Sequence, residues 1–161
     1  MFKVGILTIS DKGAQGQRYD KSGEVIRDSL SPLDILIVKY EIVPDDMDVI
    51  SHKLIGWADE GGVDVIITTG GTGLSQRDVT PEATLSVVDK VVPGFTEAMR
   101  AESLNKTPMA MLSRATAGVR GKCLIINLPG SPKAVRECLE VVLPAIPHAV
   151  EIIKGEATEH S

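Results

Sequence analysis

Several things are scarce in this chain, and each scarcity excludes a class of protein. There are only two cysteines, Cys123 and Cys138, with no second pair. Neither a zinc module nor a disulfide framework can be built from them, and two reduced core thiols are expected. Aromatic residues make up 3% of the chain, so any flat ring bound here must lie on apolar or backbone surfaces rather than on an aromatic stack. The three histidines, His52, His148 and His160, show no metal-ligand spacing, and no Ser/His/Asp arrangement accompanies them. Basic charge is not in excess: the formal net charge of −5 argues against a nucleic-acid binder or an anionic-membrane binder, although a local group of cations can still hold a phosphate. No run approaches the roughly 20 apolar residues that a membrane span needs. The opening MFKVGILTIS reads as a first strand rather than a signal peptide, so a cytoplasmic location is expected.

What is present is ordinary globular material, with 43% hydrophobic and 24% charged residues in 161 positions. That length suits one domain over 1–155 with a flexible polar tail, 156–161. β-Branched runs recur at Lys3–Ile9, Ile35–Ile42, Val63–Thr69 and Lys122–Leu128. Between the first three lie helical patterns at Ser22–Leu30 and Met47–Ala58. Alternating strands and helices predict an α/β fold, a three-layer sandwich around a mostly parallel, doubly wound sheet. Thr80-Pro81-Glu82 reads as a helix start with Thr80 as cap, and a further helix is expected at Phe95–Leu104. A last helix, Pro132–Ile153, should bend or split at Pro144 and Pro147. Met111–Arg120 reads as either an extended arm or a small hairpin.

Ligands of open α/β sheets sit beyond the carboxyl ends of the strands, and here each such end is polar. The third run leads into Thr69-Gly70-Gly71-Thr72-Gly73, a glycine-rich turn able to present backbone N–H groups to a phosphate. It is not a P-loop, because no Gly-Lys-Ser/Thr follows, nor a dinucleotide fingerprint, because Gln76 stands where a third glycine would. Arg77 and Asp78 follow the turn, and Asp45 leaves the second run. Two carboxylates beside a phosphate loop suit a hard divalent cation, which takes one or two carboxylates plus substrate phosphates; solvated surface acids are the alternative reading. The first run ends at Thr8, Ser10 and Asp11, and Asp20, Ser22 and Gly23 open the next helix, where a plain helix cap is the alternative reading of Ser22. The fourth run ends in Asn127-Leu128-Pro129-Gly130-Ser131 and then Lys133, a rigid turn into a helix N-terminus.

TTGGTG with RDVTPEAT, the early TISDKG, VPDD after the second strand and the late NLPGSPKAV resemble, over nearly the whole chain, the MogA/MoaB family of molybdopterin adenylyltransferases, related to the gephyrin G domain. The Arg77-Asp78 pair before the TPEA segment is more similar to the MogA branch. The resemblance implies a homotrimer that binds molybdopterin and ATP with Mg²⁺, releases adenylyl-molybdopterin and pyrophosphate, and serves a molybdenum-insertion protein. It also implies catalytic and metal roles for Asp45 and Asp78. The other named segments, Thr8-Ser10-Asp11, Asp20-Ser22-Gly23, Thr69–Gly73 with Arg77, and Asn127–Lys133, would form the nucleotide and pterin walls. The same loops would also permit a carrier or scaffold that binds molybdopterin without reacting; the presence of both aspartates favours the enzyme.

Overall fold

A computed structural model describes residues 1–156. In chain order the elements are β1 (Phe2–Ile9), α1 (Asp11–Ala14), α2 (Lys21–Ser29), β2 (Ile35–Val43), α3 (Met47–Asp59), β3 (Val65–Thr69), α4 (Thr80–Val87), β4 (Lys90–Val91), α5 (Pro93–Leu104), β5 (Ala117–Arg120), β6 (Cys123–Leu128), α6 (Pro132–Val142) and α7 (Ile146–Lys154). They build one six-stranded sheet in the order β2-β1-β3-β6-β5-β4. Strands β2, β1, β3 and β6 run parallel, β5 joins β6 antiparallel, and β4 joins β5 antiparallel and so points the same way as the first four. The expected α/β sandwich is therefore present, with helices on both faces.

The central strands β1, β3 and β6 are hydrophobic nearly throughout because both their faces are covered, whereas the edge strands β2 and β4 are largely exposed or half-buried. On one face Val4, Ile6, Val65, Ile67, Leu124 and Ile126 pack against Ile26 of α2, Met99 of α5, Leu139 of α6 and Val150 of α7. On the other, Leu7, Ile66 and Ile125 meet Ile50, Leu54 and Trp57 of α3 and Val87 of α4. Each such fully buried Leu or Ile contributes about 1.5–3 kcal/mol. The fit is close: a side chain at Gly5 would come within 2.8 Å of the Trp57 ring. Cys123 and Cys138 are buried free thiols, as expected, and desolvation pushes the Cys123 thiol up to about 12.

Three local expectations are revised or resolved. The last helix splits as the prolines require, through a 3-10 turn at Leu143–Ala145. Met111–Arg120 resolves into the end of a 3-10 turn (Pro108–Leu112) and then β5, which forms a hairpin with β6. Thr80 is not a cap: α4 begins at Thr80 without a side-chain cap, and the Thr80 hydroxyl instead donates to the Gly70 carbonyl at 2.9 Å. The close approach of α4 to the glycine turn outcompetes the local cap. Of the polar tail, Glu156 is held by its amide to the Glu151 carbonyl at 2.8 Å, and 157–161 lie outside the described residues. Among the described residues, no helix is long and apolar enough to cross a membrane.

Candidate active site

Parallel register aligns four strand ends. Ile9 lies opposite Val43, Thr8 opposite Thr69, and Thr69 opposite Leu128. Beyond them opens a cleft of about 480 Å³. Its floor is the glycine turn after β3. Gly70 and Gly71 have φ of 99° and 69°, in the left-handed region that glycine adopts without penalty. A Cβ at Gly70 would also collide with the Ile9 carbonyl, one at Gly71 with the Thr80 hydroxyl, and one at Gly73 would stand 2.9 Å from Asp78 Oδ2. The turn is thus pressed against β1, α4 and an acid at once.

One wall is acidic. The Asp11 backbone N–H donates to Asp45 Oδ2 at 3.0 Å, and the Asp45 N–H returns a bond to Asp11 Oδ1 at 2.9 Å, which stitches the ends of β1 and β2 together. Arg77 grips Asp11 with both Nε (3.0 Å) and Nη2 (2.8 Å). That guanidinium, followed by the Asp45 amide, holds the Asp11 carboxyl below its usual range. Asp45 has no such cation. Burial first, and then the neighbouring charges of Asp11 and Asp78, push its carboxyl upward, against a lowering by the Asp11 amide and Arg77. Asp78 lines the same cleft, and its Oδ2 accepts from the Ser75 N–H at 3.0 Å.

The opposite wall is built from helix starts. Asp20 caps α2 by accepting from the Gly23 N–H at 3.0 Å; its other oxygen receives the Thr8 hydroxyl at 2.7 Å and the Tyr40 hydroxyl. Ser22 is therefore not the cap: its hydroxyl donates to the Gly130 carbonyl at 2.7 Å, tying α2 to the turn after β6. Thr69 does the same for Pro129 at 2.6 Å, and Ser131 caps α6 through the Ala134 N–H. Ser10 caps the short α1 at the cleft rim.

Residues 5–148 match the family model described as a probable molybdopterin binding domain. The chain belongs to that family. It is 51% identical over 154 residues to the molybdopterin adenylyltransferase of Helicobacter pylori strain J99, a match covering 94% of this chain and 88% of that protein. Two solved structures are similar over almost their full lengths. The molybdopterin biosynthesis enzyme MoaB of Thermus thermophilus shares 53% identity with a TM-score of 0.92, covering 99% of this chain and 100% of that one. MogA shares 42% identity with a TM-score of 0.88, covering 94% and 99%.

In this member of the molybdopterin-binding family the structure gathers most, but not all, of the residues singled out from sequence. Thr8, Ser10, Asp20, Ser22, Asp45, Thr69, Gly70, Gly71, Asp78, Gly130 and Ser131 all line the cleft. Asp11, Gly73, Arg77 and Pro129 stand beside these residues without lining it themselves. Gly23 lies behind it as the amide that Asp20 caps, while Thr72 is buried with its carbonyl bonded to the Arg114 N–H at 2.8 Å. Leu128 and Asn127 are wholly buried. Asn127 is a structural residue: its amide donates to the Thr68 and Thr84 hydroxyls at 3.0 Å each and its carbonyl accepts from the Thr116 N–H at 3.2 Å. Its side chain is thus taken up by partners in β3, in α4 and just before β5, away from the cleft lining. Lys133 stands exposed on α6 and is not among the cleft-lining residues.

The cleft also contains residues that sequence reasoning missed: Arg18, Tyr19 and Lys21. A signal existed, since two cations flank Asp20 in Arg18-Tyr19-Asp20-Lys21 within an otherwise acidic chain. Among the described residues no group of three or more His, Cys, Asp or Glu is arranged as a metal cage. The donor set at hand, two carboxylates open to a cleft, is instead the partial shell suited to Mg²⁺ that retains waters and phosphate ligands.

Proposed function

We propose that this chain is a molybdopterin adenylyltransferase of molybdenum cofactor biosynthesis, transferring AMP from ATP to the terminal phosphate of molybdopterin. The observation that carries the reading is the two-sided cleft: Asp45 and Asp78 against a glycine turn on one wall, with Arg18, Lys21 and a helix start on the other. Such a site holds two phosphorylated substrates face to face.

In the proposed step a terminal oxygen of the molybdopterin phosphate forms a bond to the α-phosphorus of ATP, and the bond from that phosphorus to the bridging oxygen of pyrophosphate breaks. No strong base is required, because a phosphate monoester is already anionic near neutral pH. The protein's task is to align two anions and offset the charge that develops between them. The Gly71 amide in the glycine turn and the Ser22 amide in the first turn of α2, both on the cleft lining, are the backbone donors offered to phosphate oxygens, the Gly70, Lys21, Gly23 and Glu24 amides being bonded within the fold. Lys21 and Arg18 compensate charge on the wall where Asp20 is already occupied by its own hydrogen bonds. Asp45 and Asp78 would hold Mg²⁺, which supplies electrostatic stabilisation of the phosphate oxygens when bound. The upward push on the Asp45 carboxyl supports that role, since a nearby cation would relieve it. The same reading takes the working form to be a cytoplasmic homotrimer that passes adenylyl-molybdopterin to a molybdenum-insertion protein.

The test is turnover of purified protein with molybdopterin, ATP and Mg²⁺, following pyrophosphate and adenylyl-molybdopterin together, with Asp78→Asn in parallel. Magnesium-dependent product from the wild type that the variant loses is the expected result. Tight molybdopterin binding without product would replace the enzyme by a carrier.

A further inference from the structure

We propose that Arg114 is a positioning residue that fixes the loop bearing Asp78 in its ligand-binding shape; this rests on the adenylyl-transfer reading of the cleft. The loop between Gly73 and Asp78 is held along its length by the Arg77–Asp11 pair and at its ends by a different side chain. Leu74, Ser75, Gln76 and Arg77 are all exposed, and the loop's internal bonds are short-range: the Ser75 N–H donates to Asp78 Oδ2, the Asp78 N–H to the Ser75 carbonyl and the Arg77 N–H to Ser75 Oγ. Its two ends are gathered by one distant side chain. Arg114 Nε donates to the Gly73 carbonyl at 2.7 Å and Nη2 to the Asp78 carbonyl at 2.8 Å, while its backbone N–H reaches the Thr72 carbonyl at 2.8 Å. Nη1 pairs with Glu82 of the first turn of α4 at 2.5 Å.

The planar fork of a guanidinium suits this set of acceptors, where a lysine would present one compact charge. The clamp is itself anchored. Arg100 of α5 donates to the carbonyls on either side of Arg114, those of Ser113 and Ala115, at 3.2 Å each. A chain of two arginines therefore runs from α5 to the backbone that carries Asp78. Arg114 has no place on the cleft lining, so it acts through the loop and not on substrate.

The experiment compares Arg114→Lys, Arg114→Ala and Glu82→Gln with wild type by hydrogen exchange of the ligand-free proteins and by steady-state turnover. In Arg114→Lys, exchange should accelerate within 70–80 and stay unchanged in β1, β3 and β6. Its kcat should fall on the order of 10- to 100-fold, as for residues that orient metal ligands. The Mg²⁺ concentration for half-maximal rate should rise while KM for molybdopterin holds. Guanidinium at millimolar concentration should partly restore Arg114→Ala where equal NaCl does not. Glu82→Gln, which leaves the fork in place, should show a smaller acceleration confined to 70–80. Wild-type exchange and kcat in Arg114→Lys would overturn the proposal, as would acceleration spread evenly over the sheet. Should the Arg114 variants not fold, an unchanged loop in Glu82→Gln would overturn it too. If the wild type transfers no adenylate, the functional reading falls while the exchange data still decide the clamp.

Discussion

The two ends of the sheet each carry a bidentate arginine–aspartate pair, and the pairs have opposite consequences. At the amino end, Arg120 of β5 grips Asp59 of α3 at 3.0 and 2.9 Å and donates a further N–H to the Val87 carbonyl. There the guanidinium ties α3 and α4 to β5, with Asp89 a further acid near it. At the carboxyl end, Arg77 grips Asp11 with similar geometry, yet Asp45 stands hydrogen-bonded to Asp11 and shares the cleft with Asp78. On that wall the Arg77 guanidinium bonds only Asp11, and the cations Arg18 and Lys21 stand across the cleft. The same local chemistry therefore fastens the fold at one end and at the other leaves Asp45 and Asp78 outside the ion pair, free for the cation of the proposed site.

Substitutions should separate the two ends. Asp45→Asn is expected to have the largest effect: turnover should fall about 100-fold or more through loss of one of the two carboxylates proposed to hold Mg²⁺. Thermal stability should stay level or rise, because the folded state pushes the ionised Asp45 carboxyl upward in pKa and the variant removes that charge. A fall in both Tm and turnover would place Asp45 among the fastening residues. Arg77→Gln is intermediate. It releases Asp11 beside Asp45, and turnover should drop about tenfold, the loss of roughly one charge-assisted hydrogen bond; unchanged kcat/KM would show that the pair only trims the loop.

Asp59→Asn should do least, leaving turnover untouched and lowering Tm slightly. Its pH dependence carries the sign. The Arg120 hydrogen bond holds the Asp59 carboxyl below its usual range, so its contribution is fully present above the unfolded value of about 4 and is lost as pH falls through the lowered folded value. The Tm difference between wild type and Asp59→Asn should therefore be constant from neutral pH to about 4 and vanish below. A difference that grows on acidification would contradict the pairing.

Much of the cleft was legible because a parallel sheet converts strand order into place: once four runs are strands, the polar residues after each must converge. Thr8, Asp45, Thr69–Gly71 and Gly130-Ser131 followed from that alone. Less legible were residues whose role depends on reach. Asn127 sits at a strand end in sequence, but it is buried, and Thr116 before β5 and Thr84 of α4 take up its side-chain amide. Thr80 has the spacing of a cap, yet the glycine turn arrives first. Arg18 and Lys21 look like ordinary loop charge until the fold turns them toward the cleft.

The sequence by itself determined the alternation of strands and helices, the glycine turn, the breaks at Pro144 and Pro147 and the positions of the acids, because periodicity, φ preference and a missing N–H act within a few residues. Only the tertiary structure decided which acid keeps a cation, which hydroxyl meets which carbonyl, and that Arg114 closes a loop whose first carbonyl lies 41 positions away. Those pairings are set by how neighbouring elements pack, and a contact between residues far apart in the chain leaves no mark on the local pattern of either.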